Sequence, residues 1–128
     1  MSGYNPLENR GLTNEERESF TKTINELTTT KRFDIPAVYR RELESLIALV
    51  REYGAEPIFV VSPDIYPAQR YNDWPPAGVA QFSYDRPETY PTLYLPEQRY
   101  DASHLDGNGA KEFTRIFATE FADWLKRK

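Results

Sequence analysis

Apolar residues recur along this chain with helical spacing in three places and run together in a fourth, and these patterns mark out its elements. Phe20, Ile24 and Leu27 fall at i, i+4 and i+7, a narrow stripe on one face of a helix running from Thr13 to Leu27. Thr13 and Glu16 have the spacing of a capping box, in which each side chain satisfies a free backbone N–H at the helix start. The run Thr28-Thr29-Thr30 is poor helix and ends it. Asp34 to Tyr53 reads as a second helix, with Asp34 as N-cap and Pro36 in the first turn, where a missing N–H costs nothing. Tyr39, Leu43, Leu46, Ile47 and Val50 make its apolar face, and Gly54 is the expected stop. Pro57 to Val61 is a short, continuous, β-branched run, which reads as a strand covered on both faces. Ala110 to Lys128 is the last helix, with a wide face of Phe113, Ile116, Phe117, Phe121, Trp124 and Leu125. Lys126, Arg127 and Lys128 lie at its C-terminus, where positive charge suits the helix dipole.

Ser62 to Glu97 interrupts this periodicity. It holds Pro63, Pro67, Pro75, Pro76, Pro87, Pro91 and Pro96, interleaved with tyrosine, tryptophan and phenylalanine. Proline prevents long regular elements, so the segment reads as a long loop, with Thr92 to Leu95 as one short strand inside it. The aromatics imply that it packs down onto the body of the protein. Loops of this length in compact domains are usually functional or disordered. Helix, glycine, then apolar strand is half of a βαβ unit, so the pattern predicts an α/β protein with a mostly parallel sheet. There is no internal repeat.

Composition prunes the functions. The 128 residues suit one domain, with 1–33 as a polar N-terminal segment carrying a helix and 34–128 as the main body. A net charge of −4 gives no electrostatic reason to expect nucleic acid as a partner. No cysteine is present, so disulfides and thiolate metal sites are excluded. The single histidine leaves a zinc site without partners, no loop has the spacing of an EF-hand, and Gly107-Asn108-Gly109 is too short for a phosphate-cradling loop. No metal or cofactor is expected, with a carboxylate site for magnesium or calcium as the one alternative these residue types leave open. No apolar run approaches the ~18 residues of a membrane span. Met1 to Arg10 lacks the apolar stretch of a signal peptide.

One constellation carries a mechanism. In Asp101-Ala102-Ser103-His104 a carboxylate three residues before a histidine can fold back onto the imidazole Nδ1–H, fixing the tautomer and stabilising the imidazolium. The other ring nitrogen is then free to take a proton from a nucleophile. The bland alternative is a histidine that only makes local hydrogen bonds near the last helix. The surrounding stretch, Tyr100 to Phe113, resembles the final block of SGNH/GDSL hydrolases: Asp, two variable residues, His, Leu, usually Asn, then a Gly opening the last amphipathic helix. Arg41 to Asp64 is similar to that family's penultimate helix–strand unit, which ends near Ser/Thr-Pro-Pro where this chain has Val61-Ser62-Pro63-Asp64.

The resemblance implies a three-layer α/β/α domain with a flavodoxin-like parallel sheet, of which this chain is the C-terminal part. It implies serine ester hydrolysis of acyl groups on sugars, lipids or small esters, with His104 as general base, Asp101 as its orienting acid and Leu105 as packing behind the ring. The family's Gly-Asp-Ser-Leu-like nucleophile block is missing. Of the serines, only Ser62 and Ser83 are candidates to approach His104, and neither has a strand–turn–helix context. The family's oxyanion asparagine is matched by Asn5 in Gly3-Tyr4-Asn5, with Pro6 in place of its aspartate. Asp106 replaces the usual Asn and is expected to set a second carboxylate beside the imidazole. The chain alone is accordingly expected not to be a competent esterase. The alternative is a non-catalytic module in which the Tyr/Pro-rich loop binds a carbohydrate or protein. Tyr66 and Trp74 are its substrate-binding candidates, because such rings offer flat apolar faces with polar tips. A half-sheet would expose edges and apolar faces, which invites a missing N-terminal half or a homo-oligomer.

Overall fold

A capping box opens the first helix of the computed structural model, which describes residues 11–65, 71–72 and 78–128. Thr13 accepts from the Glu16 N–H and Glu16 accepts from the Thr13 N–H, so α1 runs Asn14–Thr29. Helix α2 spans Ala37–Glu52. Its N-cap position is Pro36, with no side-chain cap, and not the expected Asp34. Asp34 instead accepts from the Asn72 side chain at 3.2 Å. Gly54, at φ 74°, takes the left-handed conformation that stops α2 as its position predicts.

Strand β1, Ile58–Val61, pairs in parallel with a second strand, β2, Ala80–Ser83, in the register Ile58↔Ala80 to Val61↔Ser83. The Tyr84 N–H extends the ladder to the Val61 carbonyl at 2.9 Å. β2 lies inside the segment expected to be one long loop. The expected strand at Thr92 to Leu95 is instead a 3-10 helix, Pro91–Tyr94, opened by proline, whose fixed φ suits a helical first turn. A second 3-10 turn, Pro96–Gln98, leads to helix α3, Gly107–Lys126. The protein is thus mixed α/β with a two-stranded parallel sheet among the described residues. No helix described is long and apolar enough to cross a membrane.

In a parallel register Val60 and Phe82 share one face and Phe59 the other. On the Phe82 face, Leu12, Phe20 and Leu27 of the α1 region join Tyr84, Leu93 and Tyr94, with Phe113, Phe117, Phe121 and Trp124 of α3 packed against them. Glu120 accepts from both the Tyr84 and Tyr90 hydroxyls at 2.8 Å. On the Phe59 face a smaller cluster forms from Ile35, Leu43 and Ile47. Arg32 ties this side to the end of β2 through Asp85 at 2.9 Å. The expected cover on both faces of β1 is incomplete. Ile58 is 37% and Val60 47% exposed, whereas Phe82 of β2 is buried against the rings of α3. Of the predicted α2 face, Leu43 and Ile47 are buried while Tyr39 and Leu46 remain exposed.

Candidate active site

The loop between the second 3-10 turn and α3 is closed at its base by backbone hydrogen bonds. Arg99 and Leu105 form an antiparallel bridge, the Tyr100 N–H donates to the His104 carbonyl, and the Asp106 N–H donates to the Gln98 carbonyl, both at 2.9 Å. Gly109, in the first turn of α3, lies so close to this stem that a Cβ there would drive into the Gln98 carbonyl oxygen and within 2.9 Å of Leu105 Cδ2. A glycine at position 109 is therefore a requirement of packing.

Asp101 and His104 sit at the tip. Asp101 Oδ1 accepts from the backbone N–H groups of Ser103 and His104 at 2.8 Å, a turn that brings the imidazole back over the carboxylate. His104 Nδ1 lies 2.9 Å from both Asp101 oxygens. Burial works to raise the Asp101 pKa. The hydrogen bond to His104 and those from the Ser103 and His104 backbones outweigh it and hold the carboxyl below its ordinary 3.8. An ionised carboxylate only accepts, so Nδ1 carries the proton and donates. Nε2, the ring's other nitrogen, has no hydrogen-bond partner among the described residues and is the site where a proton can be received.

His104 lines a cleft of about 300 Å³ together with Ser62, Asp64, Arg99, Ser103, Leu105 and Phe113. Its far wall is the segment that leaves β1. Of the two serines expected near the histidine, Ser62 lines this cleft. Ser83 does not, because it sits on β2 and accepts from the Gln81 side chain at 2.5 Å. Ser103 borders the cleft from within the dyad loop. Leu105, expected to pack behind the ring, lines the cleft and closes against Gly109. Asp106 departs from its expected place beside the imidazole. It is buried and caps α3, accepting from the Asn108 and Gly109 N–H groups at 2.9 and 2.8 Å. Asn5, Tyr66 and Trp74 lie outside the described residues.

The sequence reading did not single out Arg99. Its neighbours Glu97, Gln98 and Tyr100 look like a solvated turn, and only the structure shows the side chain fully buried in the cleft wall. Burial pushes its pKa down, while Tyr94, Asp64 and Asp101 work to raise it. A larger groove of about 640 Å³ runs along α1, lined by Arg17, Glu18, Thr21, Lys22, Asn25 and Glu26. It is open to solvent, and its charged pair, Lys22 with Glu26 at 4.0 Å, is an exposed ion pair along the helix. No group of three or more His, Asp or Glu among the described residues is arranged to hold a metal ion. No family model matches this chain, and no curated protein or solved structure matches it.

Proposed function

We propose that this chain is the acid–base corner of an SGNH/GDSL-like ester hydrolase or acyl-esterase, the C-terminal part of a three-layer, flavodoxin-like domain. The observation that carries the reading is the double approach of the Asp101 carboxylate to His104 Nδ1, at the wall of a cleft that Ser62 also borders. In this reading His104 Nε2 takes the proton of a serine hydroxyl as its oxygen attacks the ester carbonyl. Asp101 holds the tautomer and stabilises the imidazolium, and the proton then passes to the departing alcohol oxygen. An acyl ester of a sugar, a lipid or a small alcohol is the substrate class. The Gly-Asp-Ser-Leu block that would present a nucleophile is absent from the sequence, so the chain alone does not turn over ester. The uncovered apolar side chains of β1 and α2 support a second component packing there to bring the nucleophile.

Two measurements test this. The first combines turnover of an aryl acetate with labelling by a serine-directed phosphonate, read by intact mass. The expected result is no label and no rate that falls in His104→Ala. A rate that depends on His104 overturns the need for an outside nucleophile, and a label on Ser62 or Ser103 would name the one within. The second uses the sole histidine as its own reporter. At a pH where the imidazole is neutral in both proteins, carbethoxylation of His104 should slow about tenfold in Asp101→Asn, since the neutral ring loses the charged acceptor that makes Nε2 more nucleophilic. An unchanged rate would reduce Asp101 to a turn cap and leave the non-catalytic binding module as the reading.

A further inference from the structure

Arg99 is 0% exposed, and no carboxylate lies within ion-pair distance of it among the described residues, Asp64 and Asp101 acting on it only from farther away. Its Nε and Nη1 have no hydrogen-bond partner there. Taking a guanidinium out of water under those terms is costly, and an apolar side chain of similar length would fill the same space at lower cost. Packing alone therefore does not account for an arginine. What only the arginine supplies is a donor at the end of a long arm. Its Nη2 donates to the Leu93 carbonyl at 2.7 Å and to the Pro63 carbonyl at 3.1 Å. The guanidinium carbon is held 5.2 Å from both the Phe20 and Tyr94 ring centres, which fixes its plane.

The backbone of the same residue is the base of the dyad loop, paired with Leu105. One residue therefore grips both walls of the cleft, the loop that carries Asp101 and His104 and the segment that follows Ser62 out of β1. We propose that Arg99 is a positioning residue of the acid–base site, tying the loop Arg99–Leu105 to the Ser62–Asp64 segment so that His104 stands at a fixed reach from the opposite cleft wall. This rests on the acid–base reading of Asp101 and His104 above.

The test compares Arg99→Met and Arg99→Lys in the full chain by hydrogen exchange and proton NMR. In Arg99→Met the Tyr100 amide, which donates to the His104 carbonyl, should exchange about tenfold faster, the size of effect expected for losing a hydrogen bond from a charged donor. The His104 Nδ1 proton resonance should broaden with it, while amides inside α1 and α3 keep their protection. Arg99→Lys, which keeps a charged donor, should recover part of both. The proposal is overturned if Arg99→Met leaves the Tyr100 amide and the Nδ1 resonance as they were. It is equally overturned if protection falls alike throughout α1 and α3, or if neither variant folds, since Arg99 then serves the fold as a whole. Asp101→Asn separates this from failure of the parent reading. If that change leaves His104 carbethoxylation untouched, the dyad itself is idle whatever Arg99 does.

Discussion

The two faces of the sheet are packed to different densities. On the Phe82 face, aromatic rings meet edge to face. Phe82 lies 5.5 Å from Phe117 and 6.1 Å from Trp124, both near perpendicular, and Tyr84 lies 5.0 Å from Phe113. Tyr84 and Leu93 are completely buried there. On the Phe59 face three aliphatic residues form the cluster, and α2 leaves Tyr53 83% exposed and Leu46 53% exposed. The dyad loop, Arg99 and the cleft are all built on the first face. A base that must hold a hydroxyl within hydrogen-bond reach needs rigid support, and side chains locked by interdigitation supply it. Spare apolar surface is left on both faces: Ile58 and Val60 at the edge of the first, Leu46 and Tyr53 on α2.

The largest way to break this contrast is to empty the denser side. Phe82→Ala should cost about 3–5 kcal/mol, and Leu43→Ala on the other side nearer to about 2 kcal/mol, read as unfolding free energies in denaturant. Leu93→Ala on the dense side should likewise exceed Leu43→Ala, and equal costs for these two would mean that the two sides are packed alike. Gly109→Ala forces a methyl into the Gln98 carbonyl and should cost about 1–3 kcal/mol, with loss of Tyr100 amide protection beyond the global change. A neutral effect would show that the stem of the loop yields easily. Asp106→Ala leaves the first N–H groups of α3 uncapped and should cost about 0.5–2 kcal/mol by thermal melting. The smallest expected effect is at high pH. Burial, with the hydrogen bond to Glu120, pushes the Tyr90 hydroxyl from 10.0 up to about 12, and Tyr84 rises for the same reasons. A raised phenol pKa adds stability that is complete below 10.0 and is lost as pH climbs through about 12. Denaturation midpoints should fall across that window, and Tyr90→Phe should flatten part of the fall.

Local signals read well from the sequence because their physics is local. Thr13 with Glu16, Gly54 and the 3.6-residue spacing of α1 and α3 each depend on neighbours a turn away; the cap and the stop appear as expected, while α1 runs on through Thr28 and Thr29 and α3 starts at Gly107, three residues before Ala110. Asp101 and His104 belong to the same kind, since two intervening residues suffice to bring their side chains together. β2 was hidden because Ala80–Ser83 is four residues long and sits among prolines and aromatics that read as loop. Asp34 was misplaced as a cap because the helix starts after Pro36, where the fixed proline φ sets the entry. Arg99 was invisible for a different reason. Its role comes from the carbonyls of Pro63 and Leu93, one of them far away in sequence, and no spacing in the chain records that meeting.

The closed stem beneath the dyad also bears on how a complete catalytic centre would be assembled. Bringing two groups together costs chain entropy that grows with the length of loop between them. For the acid and the base that cost is already met within the nine residues from Gln98 to Asp106, whose ends are joined backbone to backbone. The pair consequently travels as one unit. It stays matched through any motion that keeps the stem shut, whether or not a substrate or a second component is present. In the proposed hydrolase reading, the remaining search would be one-dimensional in character, a hydroxyl finding its distance to a base that is already oriented. Changes in activity would then follow where that hydroxyl is placed, while the proton-accepting machinery stays the same.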